Sequence, residues 1–137
     1  MRDQALTVIA DMPVHAFKIG LVSAIEGIEA IHAVVSEHPD SPVVVDPVFA
    51  AGGGFEFSAT DIREVLRSLL VPLSTVLTPN LFELTRLVPN SDSAECAVTE
   101  LLSTGCQYVL VTGTHDETEA VENRLYSADW KVSNQTW

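Results

Sequence analysis

Positive charge is scarce in this chain: 7 lysines and arginines stand against 19 aspartates and glutamates, a formal net charge of -12 at pH 7. Nucleic acid and anionic membranes are bound through a positive field, so neither is an expected partner. An anionic ligand would have to be held locally, by magnesium, helix N-termini or backbone amides. Cysteine is also sparse. Cys96 and Cys106 stand too far apart for a CxxC pair, and the four histidines show no metal-ligand spacing. Free thiols in a reducing cytosol are the default expectation. Long apolar runs are missing as well. The opening residues MRDQALTVIADMP carry acids, and no later stretch is long enough to span a bilayer. A soluble, cytoplasmic protein without a signal peptide is expected.

What is present begins with a core. In 137 residues, 47% are apolar, enough for one ordinary domain and too little chain for a second. The central stretch is Pro42 to Gly54, PVVVDPVFAAGGG. Val43, Val44 and Val45 are apolar without alternation, as in a parallel strand covered on both faces by helices. Asp46 then falls at the strand's carboxyl end, where open α/β sheets bind ligands. Pro47 holds it extended, because a proline ring disfavours the α region for the preceding residue.

Along the chain, Gln4 to Ala10 fits a short amphipathic helix and His15 to Ile19 a strand. Ser23-Ala-Ile-Glu26 predicts a capping box opening a helix to about Glu37, with Ala24, Ile25, Ile28, Ile31 and Val35 as its apolar stripe. After the glycines, Ser58-Ala-Thr-Asp61 offers a cap for a helix that Pro72 stops. Ser74 to Thr78 is a third strand and Asn80 to Val88 a short helix. Asp92-Ser-Ala-Glu95 predicts a further capped helix, with Gly105 as its left-handed stop. Gln107 to Thr112 is the fourth buried strand, and Val121 to Trp137 alternates like a hairpin around Ser127-Ala-Asp129. The expected fold class is therefore α/β: a parallel sheet with right-handed crossovers and helices on both faces, ending in a β-hairpin.

Four strand ends would converge on one rim: Gly20-Leu21, Asp46-Pro47, Pro79-Asn80 and Thr112-Gly113. The loop Phe49 to Gly54 reads equally as an anion-binding nest of backbone amides or as a connector. Asp46 suits a magnesium ligand, carboxylate being a hard donor, although aspartate before proline is also a common turn residue. Asn80-Leu-Phe-Glu83 is a variant capping box, a wholly structural explanation; at the rim the same two groups could hold a magnesium-bound phosphate through water. Ser103-Thr-Gly-Cys106 imitates an anion loop, but such a loop opens a helix and here a strand follows. Without a helix terminus or cationic neighbour, Cys106 has no reason to ionise. Cys96, beside Ala97, is expected in the core, and nothing near His115 makes it a base.

At AFKIG, VVVDPV, LTPNLFEL and VLVTGTHDET the sequence resembles the hydroxymethylpyrimidine and phosphomethylpyrimidine kinases of thiamine synthesis, in the ribokinase-like superfamily. The resemblance covers nearly the whole chain and implies a ribokinase-like α/β sandwich that uses ATP and magnesium to phosphorylate a small pyrimidine alcohol and then its monophosphate. It implies that Asp46 and the Asn80/Glu83 pair organise magnesium and the ATP phosphates, with Asp46 and Glu83 as the metal-side carboxylates. Leu21 stands where the family usually has a pyrimidine-contacting methionine, and Val48 matches another apolar contact. Thr112-Gly113 matches the phosphate-side strand end, where many members have lysine before glycine, a charge threonine cannot supply. It also implies that the pyrimidine-binding glycine loop precedes Met1 and that the oxyanion loop and catalytic base lie beyond Trp137, so that 1–137 is a truncated single domain, inactive alone. A pyridoxal-type vitamin kinase and a non-catalytic binding module are the alternatives, and an incomplete sheet leaves edges for a possible homodimer.

Overall fold

The computed structural model describes residues 1–49, 60–113 and 122–129, and the backbone of 133–136. Helix α1 spans Arg2–Asp11, strand β1 Phe17–Ile19, helix α2 Ile25–Ser36 and strand β2 Val43–Val45. Helix α3 spans Thr60–Leu69, followed by a 3-10 turn at Val71–Leu73 and strand β3 at Val76–Leu77. Helices α4 (Leu81–Leu87) and α5 (Ala94–Ser103) lead to β4 (Tyr108–Val111), and the chain returns as β5 (Glu122–Ser127) and β6 (Ser133–Thr136). The order of elements is the one the sequence predicts.

All six strands form one sheet in the order β1-β2-β3-β4-β5-β6. The first four pair in parallel, and the final hairpin pairs antiparallel onto β4. Sequential parallel strands joined by right-handed crossovers lay their connecting helices side by side, and α2 packs on α3, α3 on α4 and α4 on α5. The core lies between this layer and the sheet, where Ile28, Leu66, Leu84, Val98 and Leu101 meet Ile19, Val43, Val45, Leu77 and Val109. Cover of the two sheet faces is unequal: Val43 and Val45 are buried, whereas Val44 is half-buried.

Three local expectations are corrected. The Ser23 capping box does not form. Ala24 is the N-cap, without a side-chain bond, and its carbonyl accepts from Gly27 and Ile28. Glu26 thereby falls one position short of the third helical residue that a box requires. Burial of Val22, packed against the bare backbone of Gly27, sets this entry. In α5 the cap is Ser93, not Asp92, its hydroxyl oxygen accepting from the amide of Cys96 at 3.1 Å. The buried positions Ala97, Val98 and Leu101 then turn Cys96 outward, so it is exposed rather than in the core. Gly105 does end α5 as expected, at φ +120°, and a side chain there would also press on the Pro72 carbonyl. The cap expected at Ser58 lies outside the described residues.

Candidate functional site at the carboxyl rim of the sheet

The parallel register carries the predicted residues to adjacent places. Val45 pairs with Leu77, so Asp46 follows beside Thr78 on the next strand, with Asn80 two residues further along. The amide of Asp46 donates to the Ile19 carbonyl at 2.8 Å, and that of Thr78 to the Val45 carbonyl at 2.9 Å. One strand further, Asn80 and Thr112 form a parallel bridge, closed by the Thr112 amide on the Pro79 carbonyl at 2.9 Å. Backbone ladders thus join Asp46, Asn80 and Thr112 along one rim.

Asp46 is held by a partner that sequence reasoning missed. Lys18 Nζ donates to Asp46 Oδ2 at 2.9 Å across the β1-β2 pair. The signal was available: a lysine between Phe17 and Ile19 in a strand must point away from their face. With both side chains partly exposed, the pair orients the carboxylate more than it stabilises the fold.

Asn80 and Glu83 form the reciprocal capping box. Asn80 Oδ1 accepts from the Glu83 amide at 2.8 Å, and the Glu83 carboxylate accepts from the Asn80 amide at 3.0 Å. Glu83 is 7% exposed, a carboxylate inside the wall of the rim rather than on its surface. Its structural duty is visible, and its negative charge stands one turn into α4.

At the end of β4, the Gly113 amide donates to Asn123 Oδ1 at 3.3 Å. No larger residue fits, since a Cβ at Gly113 would lie 2.3 Å from the Glu122 carbonyl oxygen. A cavity of about 170 Å³ opens here, lined by Leu81, Thr112, Gly113, Glu122 and Arg124. Arg124 brings a cation to this cavity, where it is paired with Glu122 at 2.7 Å. Each holds the other ionised, the carboxyl below its usual range and the guanidinium above.

Leu21 is 51% exposed just past β1 and lines an apolar cavity of about 230 Å³ with Phe17, Ile19 and Val35. Val48 is half-buried two residues after Asp46. The Ala50 to Gly54 part of the glycine loop, and His115, lie outside the described residues. Cys106 is buried, bonded to the Ser74 hydroxyl and the Tyr108 carbonyl, and burial pushes its thiol above the ordinary value.

A family model for phosphomethylpyrimidine kinase matches residues 1–136. The chain belongs to the phosphomethylpyrimidine kinase family. Among its relatives, the pyridoxine kinase of Bacillus subtilis is 33% identical over 118 residues, which are 82% of this chain and 44% of that protein. The hydroxymethylpyrimidine/phosphomethylpyrimidine kinase of Streptomyces coelicolor is 32% identical over 126 residues, 89% of this chain and 46% of that one. The chain also superimposes on the pyridoxal kinase of Bacillus subtilis, solved as an ADP complex, with a TM-score of 0.84 at 29% identity, covering 99% of this chain and 53% of that structure. The fold is thus that of ribokinase-like vitamin kinases, and the chain spans about half the length of the relatives it matches. No helix among the described residues is long and apolar enough to cross a membrane.

Proposed function

We propose that this chain is the nucleotide-binding centre of an ATP- and magnesium-dependent kinase that phosphorylates hydroxymethylpyrimidine and its monophosphate. The observation that carries the reading is the ladder joining Asp46, Asn80 and Thr112 at the carboxyl rim of a family-matched sheet. Magnesium keeps most of its waters and takes one or two carboxylates plus substrate phosphates. Asp46, oriented by Lys18, would hold the metal, with Glu83 adding negative charge. The Thr112-Gly113 backbone would face the phosphates, and Leu21 and Val48 would offer apolar contact to the pyrimidine. When bound, magnesium-ATP supplies the phosphoryl group and the neutralising charge.

The chain alone turns over no substrate in this reading. Among the described residues at the rim, Asp46 is ion-paired and Glu83 is engaged in its cap, while the buried Cys106 thiol stands before β4, at the opposite end of the sheet. The chain spans about half of the kinases it matches, and losing a single oxyanion donor commonly costs roughly two to three orders of magnitude in rate. The likeness to pyridoxal kinase favours a second reading, a pyridoxal-type vitamin alcohol as acceptor at the same rim. Calorimetry with magnesium-ATP tests the common element: weak binding by the unmodified chain is expected, lost in Asp46→Ala. Equal heats from both chains would show that the rim does not bind nucleotide through Asp46. An ADP-release assay offering hydroxymethylpyrimidine and pyridoxal in parallel should stay at background for 1–137, and turnover would overturn the inactivity. A chain without any nucleotide heat would be a non-catalytic module.

A further inference from the structure

Three of the seven lysines and arginines gather round one cavity, away from the rim. Arg63 and Arg67 stand one turn apart on the same side of α3, and Arg86 lies in the last turn of α4, the helix packed beside it. With Asn90, and with Glu100 from α5, they line a cavity of about 460 Å³, a volume usual for small-molecule sites. Asp46, Asn80 and Thr112 do not line it. All three arginines are half-buried and held in place: Arg63 donates to the Thr60 hydroxyl at 3.0 Å, Arg86 stacks over the Phe82 ring at 3.4 Å from its centre, and Arg67 is paired with Glu100. Like charges brought together repel, and the pairing of α3 with α5 uses Arg67 alone. Glu64 also lines the cavity, which leaves three guanidiniums to two carboxylates in a chain whose formal net charge is -12. The overall repulsion of an anion is screened beyond about 8 Å at physiological salt, so the local balance decides.

We propose that this cavity binds the phosphate group of a small phosphorylated molecule through Arg63, Arg67 and Arg86. Guanidiniums present N–H forks that match phosphate oxygens two at a time, and the Asn90 side-chain amide is a further donor on the wall. Glu100 narrows the chemistry. Its carboxylate already sits on Arg67, so it is a tethered competitor for any anion that enters. A free carboxylate brings nothing that Glu100 lacks, whereas a phosphate carries a second charge and a third oxygen for the other two guanidiniums. Glu100 can give way, because both members of its pair are partly exposed and such pairs are worth little. The site stands apart from the rim, and it holds or fails whatever the rim binds.

Calorimetry in magnesium-free buffer tests it, with inorganic phosphate and hydroxymethylpyrimidine monophosphate as the two probes. Leaving out the metal keeps a phosphate from being held through it at the rim. The unmodified chain should give saturable heat. Equal affinity for the two probes would support a site that reads the phosphate group alone, and tighter binding of the ester a site that also contacts the rest of the molecule. Arg67→Gln and Arg86→Gln should each weaken binding about tenfold, as the loss of a charge-assisted hydrogen bond does. Glu100→Gln should tighten it by up to about fivefold, the strength of the partly exposed ion pair it removes. Asp46→Ala should leave it unchanged. Absence of heat with both probes at millimolar concentration would overturn the proposal, as would binding that persists undiminished in both arginine variants or is lost in Asp46→Ala. If the arginine variants lost their helical circular dichroism, Glu100→Gln would decide: tighter binding supports the site, and unchanged binding overturns it.

Discussion

Replacing Glu83 by alanine and by glutamine separates a cap from a metal-side charge. In the structure one carboxylate oxygen accepts the Asn80 amide at 3.0 Å, within a nearly buried side chain. Alanine removes that acceptor and leaves the amide unpaired, which costs about 1–3 kcal/mol. Glutamine keeps an acceptor at the same place and satisfies the same box. It loses only the negative charge near the N-terminus of α4, worth about 0.3–1 kcal/mol. Urea unfolding followed by circular dichroism should therefore rank the chains as unmodified, Glu83→Gln, then Glu83→Ala, with the two variants roughly 1 kcal/mol apart. Nucleotide binding should respond differently. A single negative charge and a divalent cation roughly 6 Å apart across water interact by about 1.4 kcal/mol, so glutamine should weaken magnesium-ATP binding about tenfold in spite of its small effect on stability. If Glu83→Gln bound magnesium-ATP like the unmodified chain, Glu83 would be a cap and nothing more. If glutamine destabilised as much as alanine, the charge rather than the hydrogen bond would hold the turn.

Three further outcomes follow from the same structure. Gly113→Ala places a methyl 2.3 Å from the Glu122 carbonyl oxygen, a clash with backbone that should cost about 1–3 kcal/mol; a shift under roughly 0.5 kcal/mol in urea would mean that the β4-β5 junction yields freely. Burial raises the Cys106 thiol, so the folded chain keeps a proton that the unfolded chain releases. Stability should fall as pH rises through the ordinary thiol range, and the fall should end above the folded-state value. Cys106→Ala should remove that part of the slope in unfolding measurements between roughly pH 8 and 10. A thiol reagent at neutral pH should modify Cys96 and spare Cys106, and equal reactivity would contradict the burial.

Much of this protein was legible without coordinates because its signals are local. The VVV run, the Asn80/Glu83 box, the Gly105 stop and the terminal hairpin each depend on a few consecutive residues whose backbone preferences agree. The order of elements followed from those signals, and the family from the resemblance at AFKIG, VVVDPV, LTPNLFEL and VLVTGTHDET. Tertiary packing decided what local signals leave degenerate. Either Ser93 or Asp92 suits a cap, and burial of Ala97 and Val98 selected the register that starts α5 at Ala94 and turns Cys96 outward. Either face of β2 could have been the inner one, and the pairing of Val45 with Ile19 and Leu77 under the helix layer left Val44 on the outer face. The Lys18-Asp46 pair spans 28 positions of sequence, and no local preference specifies it. It exists because parallel register sets two strand ends side by side, and spatial proximity of that kind arises only once the sheet has formed.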